Sequence, residues 1–65
     1  MFYVEHAHWV AGQGWSYNTC IDNVEKPLTA EALKEGYDDY CLNVGDEIRL
    51  YDENDNKIVV YEKTE

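Results

Sequence analysis

Residues 2–11 divide cleanly between the two faces of an extended chain. Phe2, Val4, His6, His8 and Val10 fall on one side of an extended chain, and Tyr3, Glu5, Ala7, Trp9 and Ala11 on the other. Both sides carry apolar groups, which predicts a strand that is central or covered on both faces. Gly12-Gln13-Gly14 supplies the turn. Beyond it, Trp15, Tyr17, Thr19 and Ile21 continue on one face, with Ser16, Asn18 and Cys20 opposite. Residues 2–21 therefore read as a β-hairpin.

The segment Asp22–Pro27 is a connection, and Pro27 keeps Lys26 out of helical geometry. Thr29 is placed to cap a helix, Glu31 sits in its first turn, and Leu28 and Leu33 occupy the two positions of a hydrophobic staple. Gly36 marks either the C-terminal cap or an interior position of a helix running to Tyr40, the latter costing about 1 kcal/mol. Tyr40–Val44 reads as a third strand ended by Gly45-Asp46. Glu47–Tyr51 and Lys57–Lys63 read as two more around the polar turn 52–56, with Ile58 and Val60 on one face and Val59 and Tyr61 on the other. The pattern ββαβββ predicts an α+β fold: one compact acidic domain over 1–65, with a small antiparallel sheet of four to five strands and one short helix. The edge strand 57–63 carries Lys57 and Lys63, charges that discourage strand addition, so a monomer is expected.

Composition narrows the function. A chain of 65 residues hides only about 60% of its unfolded surface. Its hydrophobic content of 45% still exceeds that of a disordered acidic tail. Five Lys+Arg against fourteen Asp+Glu give a net charge of −9. That balance argues against direct nucleic-acid binding and against an anionic membrane surface, and it favours a basic partner. Solubility alone is the plainer explanation of the same charge. No apolar run approaches the ~18 residues of a membrane span. The start Met1–His6 lacks a basic leader, so a cytoplasmic chain with reduced Cys20 and Cys41 is expected.

Five candidate chemistries meet plainer readings. His6-x-His8 with Cys20 and Cys41 makes a Cys₂His₂ set, but structural zinc sites bring cysteines as close pairs, so core or edge histidines with buried reduced cysteines are preferred. Asp52-x-Asn54-x-Asn56 opens like a calcium loop, yet Lys57 stands where glycine is needed and Lys63 where the bidentate glutamate is needed. A Cys20 or Cys41 nucleophile lacks an orienting third group, and adjacent acids such as Asp38-Asp39 face opposite ways in a strand. Gly12-x-Gly14 has neither the third glycine nor the helix of a phosphate loop. The expectation is a non-enzyme without metal or cofactor.

The region that stands out is Glu35–Asp55. It holds eight acids (Glu35, Asp38, Asp39, Asp46, Glu47, Asp52, Glu53 and Asp55), one base, Arg49, and interleaved Tyr37, Tyr40 and Tyr51. The eight acids with Tyr37 and Tyr40 form the candidate partner-binding set, since carboxylates pair with Arg and Lys while aromatic faces accept guanidinium. Trp9, Trp15 and Tyr61 are expected in the core.

In length, acidity, lack of an enzyme motif and one-helix strand pattern, the whole chain resembles small bacteriophage-encoded inhibitors of the anti-CRISPR type, a likeness of kind without a shared motif. The resemblance implies a host-cytoplasmic inhibitor that occupies a basic DNA-binding surface of a CRISPR surveillance complex by acidic DNA mimicry. The alternative is a protein-binding adaptor with Trp and Tyr anchors inside an acidic, solubilising rim.

Overall fold

The computed structural model describes residues 1–65. Strands β1 (Phe2–Val10), β2 (Gly14–Val24), β3 (Glu47–Tyr51) and β4 (Lys57–Glu62) accompany one helix, α1 (Ala30–Tyr37), which tightens into a 3₁₀ turn over Asp38–Tyr40. The strands form one antiparallel sheet in the order β2-β1-β3-β4. β1 lies inside the sheet, as its two-sided apolar alternation predicts. The α+β architecture and the single short helix are as expected, with four strands.

The β1–β2 hairpin turns through Gly12 and Gly14, both at positive φ (84° and 85°). Its register jumps twice, leaving Ser16 and Ile21 without a partner on β1. An extra residue in one strand resets the alternation downstream. Trp15 consequently pairs with Trp9 while Tyr17 pairs with His8, so the two aromatics occupy opposite faces rather than the single face expected.

Helix α1 begins as its sequence specifies. The Thr29 side chain accepts a hydrogen bond from the Ala32 N–H at 3.1 Å, and Leu28 packs with Leu33 against the core. Leu33 is the helix's one fully buried residue and anchors it to Val4, Ile48 and Leu50. Burying such a side chain stabilises by about 1.5–3 kcal/mol, a sizeable share for a small domain. Gly36 does not stop the helix. The chain runs through it to Tyr37 and closes in the 3₁₀ turn, where the Cys41 N–H donates to Asp38 O at 2.9 Å.

The strand expected at Tyr40–Val44 is absent. Leu42 and Val44 are exposed despite their apolar character. The Leu42 N–H donates to the Asp46 carboxylate, and the Asp46 N–H donates to Asn43 O, so these groups close a tight turn instead of entering a ladder. The following residues still reach the sheet: Gly45 and Lys63 donate to Lys63 O and Asp46 O respectively.

One face of the sheet is covered by α1 and the 41–46 turn; the other is open. With extents of 34 × 22 × 15 Å, the molecule has room for a sheet and one helix and no third layer. Val4, His6, Ile48, Leu50, Val59 and Tyr61 point to the covered face, and Tyr3, Glu5, Trp9, Trp15, Glu47, Arg49, Val60 and Glu62 to the open one.

Candidate functional site

The open face is built around Arg49, only 8% exposed at the middle of β3. Its Nε donates to Glu47 at 2.8 Å and its Nη1 to Glu5 at 3.3 Å, the latter directly across on β1. The Trp15 ring lies 4.7 Å from the guanidinium carbon, and Tyr51 donates its hydroxyl to Glu5. Burial alone would lower the Arg49 pKa, but Glu47 and then Glu5 outweigh it and hold the guanidinium firmly protonated. Tyr3 stacks on Tyr51 at 5.1 Å and donates to Asp55 in the β3–β4 turn. Asp55 has φ 64°, a conformation that aspartate tolerates better than most residues.

Beside this cluster stands a shallow cleft of about 170 Å³ lined by Trp9, Trp15, Gly45, Glu47 and Glu62. The tryptophan rings meet edge to face at 5.0 Å and are 37% and 43% exposed, so the expectation that both belong to the core is corrected. Tyr61, by contrast, does pack against the core. Glu62 lies directly across from Glu47, a like-charge pairing that disfavours the bare sheet. Glu47 is engaged by Arg49, whereas Glu62 has no ion pair. Ile58 and Val60 extend the exposed apolar strip along β4.

A second polar cluster lies on the covered face. Asp46 is fully buried and accepts from His6 Nε2 at 2.9 Å, His8 Nδ1 at 3.0 and 3.1 Å, and the backbone N–H groups of Trp9 and Leu42 at 2.9 Å each. Burial pushes its carboxyl upward, but the bonds from His8, His6, Trp9 and Leu42 prevail and hold it well below the usual carboxylate range. Tyr17 packs edge-on to His6 and tilted over His8. Asp46 was expected on a partner-facing surface; four inward-facing donor groups hold it inside instead.

The other acids of the 35–55 stretch scatter rather than converge. Glu35 and Asp39 are exposed on the helix and the 3₁₀ turn, beside exposed Tyr40 and half-buried Tyr37. Asp38 accepts from Tyr61 at 2.6 Å and from Lys63 at 3.1 and 3.2 Å. Asp52 accepts from the N–H groups of Asn54 and Asn56 and organises the β3–β4 turn, while Glu53 lies 3.8 Å from the chain's amino group. Glu47 alone joins the tryptophan cleft. Glu62 was not among the expected contact residues, although its shared parity with Val60 puts the two on one face, and no local spacing signals the pairing of Asp46 with the histidines.

The thiols are not both buried as expected: Cys20 is exposed and Cys41 is half-buried. Cys20 and Cys41 are both free; burial, then the charges of Asp46 and Asp38, push Cys41 up to about 11, so it stays protonated at neutral pH. The three donor atoms of His6, His8 and Asp46 are of metal-ligating type and lie within 4.8 Å of one another. No helix is long and apolar enough to cross a membrane. No known protein family, curated protein or solved structure matches the chain.

Proposed function

We infer that this chain is a non-catalytic binding module that docks a basic protein surface on the open face of its sheet, with Trp9 and Trp15 as anchors. The observation that carries the reading is the cleft between those rings. Two half-exposed indoles stand beside Glu47 and Glu62, which oppose one another across β3 and β4. A lysine or arginine side chain entering there would relieve the like-charge pairing and lie against an aromatic face. Arg49 already makes that kind of contact with Trp15 from inside. Tyr and Trp anchors with a polar rim are the usual anatomy of a protein interface, and the net charge of −9 would speed encounter with a basic partner.

Inhibition of a basic nucleic-acid-binding complex, of the CRISPR surveillance kind, is the most specific form of this reading. The DNA-mimic version would rest on the exposed acids Glu35, Asp39 and Glu53, with charge rather than aromatic contact supplying affinity. The two versions separate in one experiment. The chain is used to capture complexes from nuclease-treated lysate of a CRISPR-bearing bacterium, alongside Trp15→Ala and a triple variant carrying Glu35→Gln, Asp39→Asn and Glu53→Gln. Docking through the cleft predicts capture of a basic complex that Trp15→Ala abolishes and the amide variant retains. Graded loss in the amide variant, with release by added duplex DNA, would establish mimicry instead. If Trp15→Ala, the amide variant and the original all capture a basic complex alike, neither surface is the interface.

A further inference from the structure

Asp46 is a buried carboxylate that its surroundings meet with hydrogen bonds and with no lysine or arginine. It is fully buried, and its ion contacts are with His6 and His8 alone. Arg49 points to the opposite face and binds Glu5 and Glu47, and Lys63 is taken by Asp38. Buried carboxylates are ordinarily matched by a cation or ligate a metal. The two imidazoles and the carboxylate are placed to hold a cation together.

We propose that His6 Nε2, His8 Nδ1 and the Asp46 carboxylate form a binding site for a divalent transition-metal cation of the zinc class. Two imidazoles with one carboxylate are a donor set suited to such ions, and three protein ligands leave a fourth, tetrahedral position for water or an exchangeable group. The spacing is close to what an ion needs. Ligands at 2.0–2.1 Å around a tetrahedral centre lie about 3.3 Å from one another. His6 Nε2 and His8 Nδ1 stand 2.9 and 3.0 Å from Asp46 Oδ2. Each ring therefore has to withdraw from Oδ2 by only about 0.3–0.4 Å, and the most separated donors, within 4.8 Å of one another, have to close by at most about 1.5 Å.

The hydrogen bonds at Asp46 show what an ion would displace. Oδ2 faces three donors, His6, His8 and the Leu42 N–H, while Oδ1 faces the Trp9 N–H and shares His8. That is four donor groups, with His8 shared between the two oxygens, on a carboxylate with about four lone-pair sites. An ion would replace the contacts from the two rings, each neutral ring keeping its one proton on the nitrogen that faces away from the metal. The N–H groups of Trp9 and Leu42 would remain as the outer hydrogen bonds that orient a ligating carboxylate. Strand geometry supplies the rest: His6 and His8 share a face of β1, and Tyr17, 44% exposed, covers them from β2. The cysteines lie outside the donor set.

The probes are zinc(II) and cobalt(II), added to the purified 65-residue chain after chelation and buffer exchange. The expected result is one equivalent bound, visible cobalt d–d absorption, and a raised Tm that chelator reverses. His8→Gln should weaken zinc at least tenfold, and the double variant Cys20→Ser, Cys41→Ser should bind as the original does. No binding at tenfold molar excess, equal binding by His8→Gln, or loss confined to the cysteine variant would overturn the site. Should His8→Gln fail to fold, imidazole NMR of the unmodified chain decides. Both histidine rings must shift at one equivalent of zinc, and unmoved rings overturn the proposal.

Discussion

On the open face Glu5 and Glu47 grip a guanidinium between two carboxylates; on the covered face Asp46 stands among imidazoles and amides with no lysine or arginine. The open cluster keeps some contact with water, with side chains 10% exposed for Arg49 and 17% for each glutamate. Asp46 keeps none. The difference assigns them different work. A charge pair near water tolerates rearrangement when something docks on it, because solvent can take over a lost contact. A fully enclosed carboxylate cannot be released so cheaply. It therefore serves to pin β1 to the 41–46 turn, and that pinning holds the floor of the Trp9–Trp15 cleft in place from behind.

The largest expected effect comes from removing the enclosed charge. Asp46→Ala leaves His6, His8 and the N–H groups of Trp9 and Leu42 without their acceptor. Breaking a buried ionic network from one side costs about 3–5 kcal/mol, enough to threaten a domain of this size. Urea unfolding in chelator, which removes any metal contribution, is the measurement. A loss under 1 kcal/mol would show that the turn does not depend on the carboxylate.

Arg49→Met tests the other side of the comparison. It strands Glu5 and Glu47 beneath Trp15, yet both can turn toward solvent, so the expected cost is about 1–3 kcal/mol. Replacing all three groups together, as Glu5→Gln, Arg49→Met and Glu47→Gln, should recover most of that loss. An Arg49 effect as large as that of Asp46 would erase the distinction between the faces.

Gly45→Ala probes the joint between the two clusters. Gly45 has φ 99°, and a methyl group there would lie 2.8 Å from Trp9 Cδ1. Both the left-handed backbone and the contact oppose the change, at about 1–2 kcal/mol for the backbone alone. Because Gly45 precedes Asp46 and touches Trp9, the variant should also alter tryptophan emission. Unchanged fluorescence with lowered stability would place the strain in the turn and not in the cleft.

How legible this was depended on the range of the signal. Local patterns were readable: the alternation of β1, the glycines of its turn, the Thr29 cap with its Leu28–Leu33 staple, and the Glu47–Tyr51 and Lys57–Lys63 strands. Bulges were not, because the unpaired Ser16 shows itself only against a partner strand, and it moves Trp15 away from Tyr17. Cys41, Leu42 and Val44 read as a strand because nothing local reveals that Asp46 takes the Leu42 N–H. The same carboxylate was misread for the same reason. An aspartate in an acidic run looks like surface until the fold brings histidines from 38 and 40 residues away onto it.

The finest test of the comparison uses the three tyrosine–aspartate ties, which bind each face at its margins. Tyr61–Asp38 and Tyr37–Asp22 close the covered side, and Tyr3–Asp55 closes the open side. In each case the hydrogen bond to the aspartate, then burial, pushes the tyrosine up to about 12 from its ordinary 10. A tyrosine whose folded pKa is raised stabilises fully below pH 10, and that stabilisation is lost as pH climbs through 12. Asp38, by its bonds from Tyr61 and Lys63, and Asp22, by those from Tyr37 and Asn23, are held below their ordinary range. Their contribution is present above the ordinary carboxylate value and fades as pH falls below it, so the ties act together from about pH 4 to pH 10. Tyr61→Phe should make stability fall less steeply between pH 10 and pH 12, by one tyrosine's worth, measured as urea midpoints with absorbance at 295 nm following the remaining phenols. Tyr3→Phe should do the same while also loosening the Asp55 turn under the open face. Tyrosines that all titrate near 10 in the folded chain would dissolve the ties on both faces at once.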